Sequence, residues 1–197
     1  MAGKTKERIL EAALVLFSNK GYEGTNLQEI ADSIGVVKSA LYRHFESKED
    51  LWNALIEKLA MYYEQRFGSF SDLPMIPKTC DEFKAMTLKM IDFTIHDEKI
   101  IKVRKLFLTE QFRNENAKLL ATKYFNEGLE SMFTKIFMEM IKNKSIKEYH
   151  PGMLSFEFTC PISSLIHLCD RQPEREKEVM RKIKVYIEHF ISVYGIK

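Results

Sequence analysis

Apolar residues recur at a helical spacing from the first turns of the chain onward. Five of them share one face of a predicted first helix: Ile9, Ala12, Ala13, Leu16 and Phe17. Thr5 is placed to cap this helix, because a threonine hydroxyl accepts hydrogen bonds from the free N–H groups of a first turn. Gly21 stands where a left-handed residue commonly ends a helix. The chain is therefore predicted to begin with one amphipathic helix.

Two shorter helices are predicted next, with a turn between them. Thr25-x-x-Gln28 matches the Ser/Thr-x-x-Glu/Gln capping box, which predicts that a helix begins at this point. Gly35 is predicted to end that helix, and a second short helix is predicted over 38–45.

The remaining apolar pattern is helical as well. Ser47-x-x-Asp50 predicts the cap of a longer helix that runs to about Arg66, and the segment 68–77 is the clearest linker of the chain. Beyond this linker five more helices are predicted, at about 81–96, 98–112, 115–143, 151–169 and 174–195. No alternation of the β type persists, so the sequence predicts an all-α protein.

Composition limits the classes of partner and compartment. Residues 1–50 hold seven Lys and Arg against eight Asp and Glu, so charge alone does not predict nucleic-acid binding. Cys80, Cys160 and Cys169 show no C-x-x-C spacing, which favours free thiols in a reducing cytoplasm. No signal-peptide block and no apolar run of about 18 residues is found, so we expect a cytoplasmic protein without a membrane partner.

The stretch around Gly35 has the pattern of a helix-turn-helix. Such a motif needs a small residue where its helices cross and a turn residue that tolerates a positive φ. Ala31 and Gly35 meet these needs. The apolar residues that would pin both helices to a third are Ile30, Ile34, Val36 and Leu41. Many helical proteins carry this pattern by chance, so it does not by itself identify a DNA-binding motif.

The longer stretch 25–51 closely resembles the signature of the tetracycline-repressor (TetR) family. The pieces I-A-x-x-x-G-V, L-Y-x-x-F and S-K-x-x-L occur at the separations usual in that family, and the resemblance covers about residues 8–55. It implies an N-terminal three-helix helix-turn-helix domain over 1–47 and a larger helical domain for ligand binding and dimerisation over 48–197. It also implies a bacterial homodimer that binds a palindromic operator in double-stranded DNA.

The resemblance assigns phosphate contacts to three residues. In that family the helix at 38–45 enters the major groove, and the residues at the positions of Tyr42, His44 and Lys48 contact the DNA backbone. Tyr42 and Phe45 also suit a packed core, and lysines are ordinary surface residues, so both interpretations remain open from sequence alone.

Base reading is assigned to the residues just before and within the start of the same helix. The positions of Val37, Lys38 and Ser39 reach toward base edges, and Thr25 and Gln28 form a second possible contact set. Val37 departs from the family, which commonly has Ser or Thr at this position. Valine cannot cap the helix, but its methyl groups can pack on a thymine methyl.

The C-terminal domain is expected to enclose a cavity for an apolar or aromatic effector. The candidate lining residues are aromatic, methionine or polar residues placed on the predicted inward faces: Tyr63, Phe67, Met90, Phe93, His96, Phe107, Phe112, Phe133, Glu157 and His167. Plain core packing explains the apolar members equally well. No metal site is expected, because the histidines show no i, i+4 pairing.

The final helix carries two adjacent apolar stripes. Val179, Ile183, Tyr186, Phe190 and Tyr194 form the first, and Ile187 and Ile191 flank it. A face this wide on a terminal helix predicts dimerisation through the helices at 151–169 and 174–195. Pro161 is expected to kink the earlier of these helices.

These observations predict a ligand-responsive DNA-binding transcriptional regulator. No enzyme activity and no cofactor are expected, since the sequence shows no nucleophile–base arrangement, no phosphate-binding glycine loop and no paired metal ligands. A repressor released from its operator by a small effector is the leading interpretation. The alternative is a DNA-binding structural or partner-recruiting protein on the same scaffold, without an effector.

Overall fold

A computed structural model describes the backbone of residues 2–67 and 76–196, and over these residues the all-α prediction is confirmed. The helices in chain order are α1 (Ala2–Lys20), α2 (Leu27–Ser33), α3 (Lys38–Tyr42), α4 (Lys48–Phe67), α5 (Cys80–His96), α6 (Glu98–Glu110), α7 (Glu115–Thr122), α8 (Gly128–Lys142), α9 (Pro151–Arg171) and α10 (Glu176–Tyr194). A π turn over Lys123–Glu127 joins α7 to α8, and a 3-10 turn over Pro173–Arg175 precedes α10. Most of the predicted linker lies outside the described residues.

The chain divides into two compact units. The first unit holds residues 1–66 and 98–121, and the second holds residues 67–97 and 122–197. No described helix is long and apolar enough to cross a membrane.

The first unit is built around α1. This helix packs on α2 and α6 and buries Ile9, Ala13 and Phe17 completely. The inner face of α4 contributes Leu51, Trp52, Leu55 and Leu59, each almost fully buried, and α6 contributes Val103, Leu106 and Phe107. At roughly 25 cal/mol per Å² of apolar surface, this burial is the main favourable term that holds the short helices of the unit in place.

The helix starts correct two predictions from sequence. The first helix begins at Ala2, so Thr5 lies within it and does not cap it. The capping box of α2 is shifted by one residue: Asn26 Oδ1 accepts from the N–H of Glu29, and Glu29 Oε2 accepts from the N–H of Asn26. Thr25 is instead buried, with its hydroxyl donating to the carbonyl of Gly21 at 2.9 Å. The Ser47 cap of α4 is confirmed, since its hydroxyl accepts from the N–H of Asp50 at 3.0 Å.

The second unit has an aromatic core. Five phenylalanines from α5, α8, α9 and α10 meet there: Phe83, Phe133, Phe137, Phe158 and Phe190. Phe158 lies at the centre, with ring centroids 4.9 Å from Phe83 and 4.8 Å from Phe190. Rings tilted at these separations add specific attraction to the area that they bury.

The stripe on α10 faces this same core. Val179, Ile183 and Ile187 are fully buried within their own chain, and Phe190 nearly so. Most of this apolar face is therefore covered within its own chain. The sequence pattern reports a wide apolar face but does not say which surface covers it.

Two further boundaries differ from the prediction. The helix expected over 98–112 ends at Glu110, which leaves Phe112 beyond the last turn and 87% exposed instead of facing inward. The recognition helix expected over 38–45 ends at Tyr42. The chain continues past this point as turns, with the N–H groups of His44 and Phe45 both donating to the carbonyl of Leu41.

Candidate nucleic-acid interface and effector groove

The turn between α2 and α3 has the geometry that a helix-turn-helix needs. Gly35 has φ +69°, in the left-handed region that glycine enters without strain. The N–H of Val36 donates to the carbonyl of Ala31, which closes the end of α2. Leu41 and Phe45 are buried and anchor α3 and the turn after it to the first unit.

The start of α3 is open to solvent. Val37 occupies the N-cap position without a side-chain cap, as predicted, and 69% of its surface is exposed. Lys38 and Ser39 follow it and are also exposed. The three residues that the resemblance assigns to base reading are therefore consecutive at one accessible helix end.

Lysine side chains lie over aromatic rings throughout this surface. The ammonium group of Lys38 is 5.9 Å from the ring centroid of Tyr42, and that of Lys48 is 4.2 Å from the ring centroid of Tyr22. Lys6 lies 5.4 Å from the ring of Phe45. A cation held over a ring face is attracted by the ring quadrupole, so its long side chain samples fewer positions. Sequence analysis did not identify Tyr22 as a functional residue, because its contact with Lys48 forms only in the folded unit.

The ring of Tyr22 is in turn held by two buried aromatics. Its centroid is 5.1 Å from Trp52 in a T-shaped contact and 5.6 Å from Phe17. Partial burial, together with the neighbouring charges of Glu49 and Glu23, raises the pKa of Tyr22 above its usual value. The phenol therefore stays neutral beside Lys48 at physiological pH.

Several acidic residues of the N-terminal segment are engaged within the first unit. Glu29 pairs with Lys20 at 2.7 Å, and Glu7 pairs with Lys58. Asp50 accepts the N–H of Glu46 at 2.9 Å. By contrast, Lys38, Arg43 and Lys48 form no ion pair with any residue that the structure describes. The net charge of this segment thus conceals three cations that form no ion pair among the described residues.

The second predicted contact set is only partly accessible. Thr25 is 1% exposed and its hydroxyl is used within the turn, so its side chain does not reach the surface. Gln28 is exposed and donates to Asp32 at 2.7 Å. His44 is half-buried, with its ring 6.5 Å from that of Phe45.

The predicted effector residues are divided between the two units. Tyr63 and Phe107 are buried in the first unit, whereas Phe133 belongs to the aromatic core of the second. Met90 and Phe93 are half-buried on α5. The side chain of Phe67 lies outside the described residues.

His167 lines a groove of about 390 Å³ within the second unit. The groove runs along α9 and is bounded on its other side by the π turn and the start of α8. Its lining mixes two aromatic rings with hydroxyl, thiol and charged groups: Phe125, Asn126, Glu130, Phe156, Thr159, Cys160, Ser163, Ser164, His167 and Arg171. A groove with this lining suits a ligand that has both an apolar body and polar ends.

Glu157 accepts hydrogen bonds from two tyrosines of α10. Pro161 has no N–H, so the carbonyl of Glu157, four residues earlier, lacks its partner within the helix. The hydroxyl of Tyr186 donates to this carbonyl, and the hydroxyl of Tyr194 donates to Glu157 Oε2 at 2.6 Å. Burial raises the pKa of Tyr186 to about 12, and the hydrogen bond to Glu157 raises that of Tyr194 to about 12. Glu157 is thus engaged within the second unit.

His96 forms ion pairs at the end of α5. Its Nε2 lies 3.2 Å from Glu176 Oε1, and its Nδ1 lies 3.2 Å from Asp92 Oδ1. The hydrogen bond to Glu176, aided by the charges of both carboxylates, raises the pKa of His96. The imidazole therefore joins α5 to the start of α10.

The N-terminal segment matches a known protein family. The model of "Bacterial regulatory proteins, tetR family" matches residues 9–55. The biofilm operon icaADBC HTH-type negative transcriptional regulator IcaR of Staphylococcus epidermidis is 38% identical over 58 residues, or 29% of this chain. That match spans only 31% of the length of IcaR, so it concerns the DNA-binding segment and not the whole protein.

Solved structures extend the likeness in fold to nearly the whole chain. The SmeT–triclosan complex superposes with a TM-score of 0.74 at 17% identity, covering 98% of this chain and 93% of SmeT. SmeT is the repressor of the Stenotrophomonas maltophilia multidrug efflux pump SmeDEF. A TetR-family transcriptional regulator from Agrobacterium tumefaciens gives 0.69 at 14% identity, covering 94% and 98% of the two chains. At these identities the likeness concerns the fold alone.

The ion pairs of His96 predict a pH-dependent contribution to stability. A raised folded-state pKa stabilises the fold below the unfolded value of about 6.5, and the effect is lost as pH rises through the folded pKa. His96→Gln is therefore expected to lower the melting temperature at pH 5.5 and to leave it unchanged at pH 9. Lys89→Gln, which removes an exposed cation from the same helix, is the control. An equal loss at both pH values would show that the ion pairs contribute nothing.

Proposed function

We propose that this chain, whose residues 9–55 match the tetR family of bacterial regulatory proteins, is a DNA-binding transcriptional repressor controlled by a small effector. The observation that carries the proposal is the set of unneutralised cations within and just after the helix-turn-helix. Lys38 and Lys48 lie over tyrosine rings, and Lys38 stands between the exposed Val37 and Ser39 at the start of α3. Intramolecular ion pairs would have to be broken before DNA bound, and these lysines have none among the described residues.

We assign different roles to the residues that contact phosphates and to those that contact bases. Tyr42, His44 and Lys48 bind phosphates and so fix the register of the protein on the duplex. Val37, Lys38 and Ser39 face the base edges, where the methyl groups of Val37 suit a thymine methyl. The operator is a palindrome with half-sites about 34–36 Å apart, or a multiple of that distance.

Selection from a library of random duplexes tests DNA binding directly. The purified chain is expected to enrich a palindromic sequence. On the enriched duplex, Lys48→Ala should lower the slope of log affinity against log salt by about 1.8, since one phosphate contact of about 0.9 is lost from each of two protomers. The factor by which DNA affinity falls between 50 and 200 mM salt is then about 12-fold smaller for Lys48→Ala than for the wild type.

Lys20→Ala is the matched control, because Lys20 has the same charge but is paired with Glu29. It should leave the salt slope unchanged. If Lys48→Ala behaved like Lys20→Ala, the phosphate contact of Lys48 would be wrong. Failure to enrich any sequence would contradict the proposed function itself.

We propose that the functional form is a homodimer joined through the outer faces of α9 and α10. Three apolar side chains are exposed on these faces: Phe156, Val185 and Val193. Two surface grooves of about 400 and 380 Å³ lie beside them and are lined in part by Tyr186 and His189. Apolar residues clustered in this way are typical of a protein–protein contact, and a second copy supplies the same surface about a two-fold axis.

Charge placed on this face is expected to separate the protomers. Val185→Glu should convert a particle of twice the chain mass of 23.1 kDa into a monomer in sedimentation experiments at micromolar concentration. Burying an unpaired carboxylate costs several kcal/mol, which exceeds what a rim contact recovers. Met138→Glu, at an exposed position on α8, should leave the dimer intact. A wild-type monomer would contradict the dimer proposal.

We propose that the effector is an apolar or aromatic molecule bound by the second unit. Two features support this assignment. The groove beside His167 offers Phe125 and Phe156 together with the hydroxyls of Ser163 and Ser164. SmeT, whose fold is similar, has been crystallised with triclosan.

Triclosan is the first compound to titrate, with and without the enriched duplex. Coupling between effector and DNA is reciprocal, so operator DNA must weaken effector binding by the factor by which the effector weakens DNA binding. A ratio of about 5–150 is expected, which is the usual allosteric range. Equal affinities in the two titrations would exclude the compound as the effector.

A further inference from the structure

Glu110 is a buried carboxylate at the last residue of α6. Only 2% of its surface is exposed, and its Oε1 accepts a hydrogen bond of 3.0 Å from the backbone N–H of Tyr22, which is 88 residues away in sequence. A buried carboxylate is costly unless hydrogen bonds compensate it. Its burial against one particular N–H group therefore ties the end of α6 to the turn between α1 and α2, within the first unit.

The turn is built to receive this carboxylate. Gly21 has φ +75°, and a Cβ at this position would lie 2.8 Å from Glu110 Oε1. Only glycine therefore gives both the left-handed conformation and the space for the carboxylate. The hydroxyl of Thr25 donates to the carbonyl of Gly21, and the N–H of Thr25 donates to the carbonyl of Tyr22 at 3.3 Å. The backbone at 21–25 is thus fixed from within the turn and from α6.

Fixing this backbone also fixes the ring of Tyr22. The ring packs edge-on against Trp52, and the ammonium group of Lys48 lies over it at 4.2 Å. The path from Glu110 to Lys48 contains one hydrogen bond, one side chain and one cation–π contact. Movement of the Tyr22 backbone would remove the support under the ammonium group without changing Lys48 itself.

We propose that Glu110 is a positioning residue for DNA binding, which holds Lys48 in place for its phosphate by fixing the Tyr22 turn. The proposal rests on the DNA-binding function proposed above. Glu110 touches no DNA itself, and sequence analysis gave no sign of its role, because the glycine and the carboxylate meet only in the folded unit. Glu110 thus takes part in DNA recognition although it belongs to α6, outside the helix-turn-helix.

Four variants on the enriched duplex test this inference. Glu110→Leu removes the acceptor but keeps apolar bulk, whereas Glu110→Gln keeps an oxygen that accepts the Tyr22 N–H. The third variant is Lys48→Ala, and the fourth combines Lys48→Ala with Glu110→Leu. Ile100→Ala, a buried position ten residues earlier on α6, controls for a general loss of stability. Trp52 is the single tryptophan of the chain, so its emission reports directly on the Tyr22 contact.

Glu110→Leu is expected to lower the salt slope by at least half of the change that Lys48→Ala produces, and to shift the emission of Trp52. In the Lys48→Ala background it should lower the slope no further. Glu110→Gln should retain the wild-type slope, and Ile100→Ala should lower stability without changing the slope. If Glu110→Leu proves too unstable to purify, Gly21→Ala displaces the same hydrogen bond from the other side and should give the same slope change.

A wild-type salt slope for folded Glu110→Leu would overturn the inference, as would an additive change in the double variant. Both results leave the proposed function standing, because the wild-type chain still binds the duplex. Absence of DNA binding by the wild-type chain would instead refute the proposed function, and the positioning role with it.

Discussion

The packing of α2 on α1, and of α3 on α2, is the constraint on which the rest of the structure depends. Helices α2 and α3 contain seven and five residues, whereas isolated helices shorter than about 12–15 residues are marginal in water. Their burial of Leu27, Ile30 and Leu41 against the first unit therefore determines where they lie. The orientation of the exposed end of α3 is thus a tertiary property, and the capping box and glycine turn only refine it.

The sequence predicts this fold well where local chemistry decides the outcome. Positive φ values occur at Gly21 and Gly35, as their positions indicated. It fails where two local solutions compete, as when Thr25-x-x-Gln28 and the pair Asn26 and Glu29 both fit a capping box. Only the folded turn, which uses the hydroxyl of Thr25 for the carbonyl of Gly21, decides between them. The α10 stripe fails for a related reason, since periodicity identifies an apolar face but not the surface that covers it.

The candidate site also has features that the sequence predicts and features that it does not. The exposure of Val37, Lys38 and Ser39 follows from their place at a helix start, so a motif can predict it. The support of Lys48 by Tyr22, and the assembly of the groove from 125–130 and 156–171, depend on contacts between distant segments. Net charge was misleading because it does not show which groups are paired: Glu29 is bound to Lys20, whereas Lys38, Arg43 and Lys48 form no ion pair among the described residues.

Pro161 has a consequence for how related sequences can diverge. The carbonyl that it leaves free on Glu157 accepts from the hydroxyl of Tyr186, so a link between α9 and α10 replaces the missing helix hydrogen bond. Restoring an N–H at position 161 would compete with Tyr186 for that carbonyl, and replacing Tyr186 would leave it without a donor. Each substitution alone is therefore expected to destabilise the protein more than the two substitutions together. Positions 161 and 186 are thus expected to covary among related sequences, although 25 residues separate them.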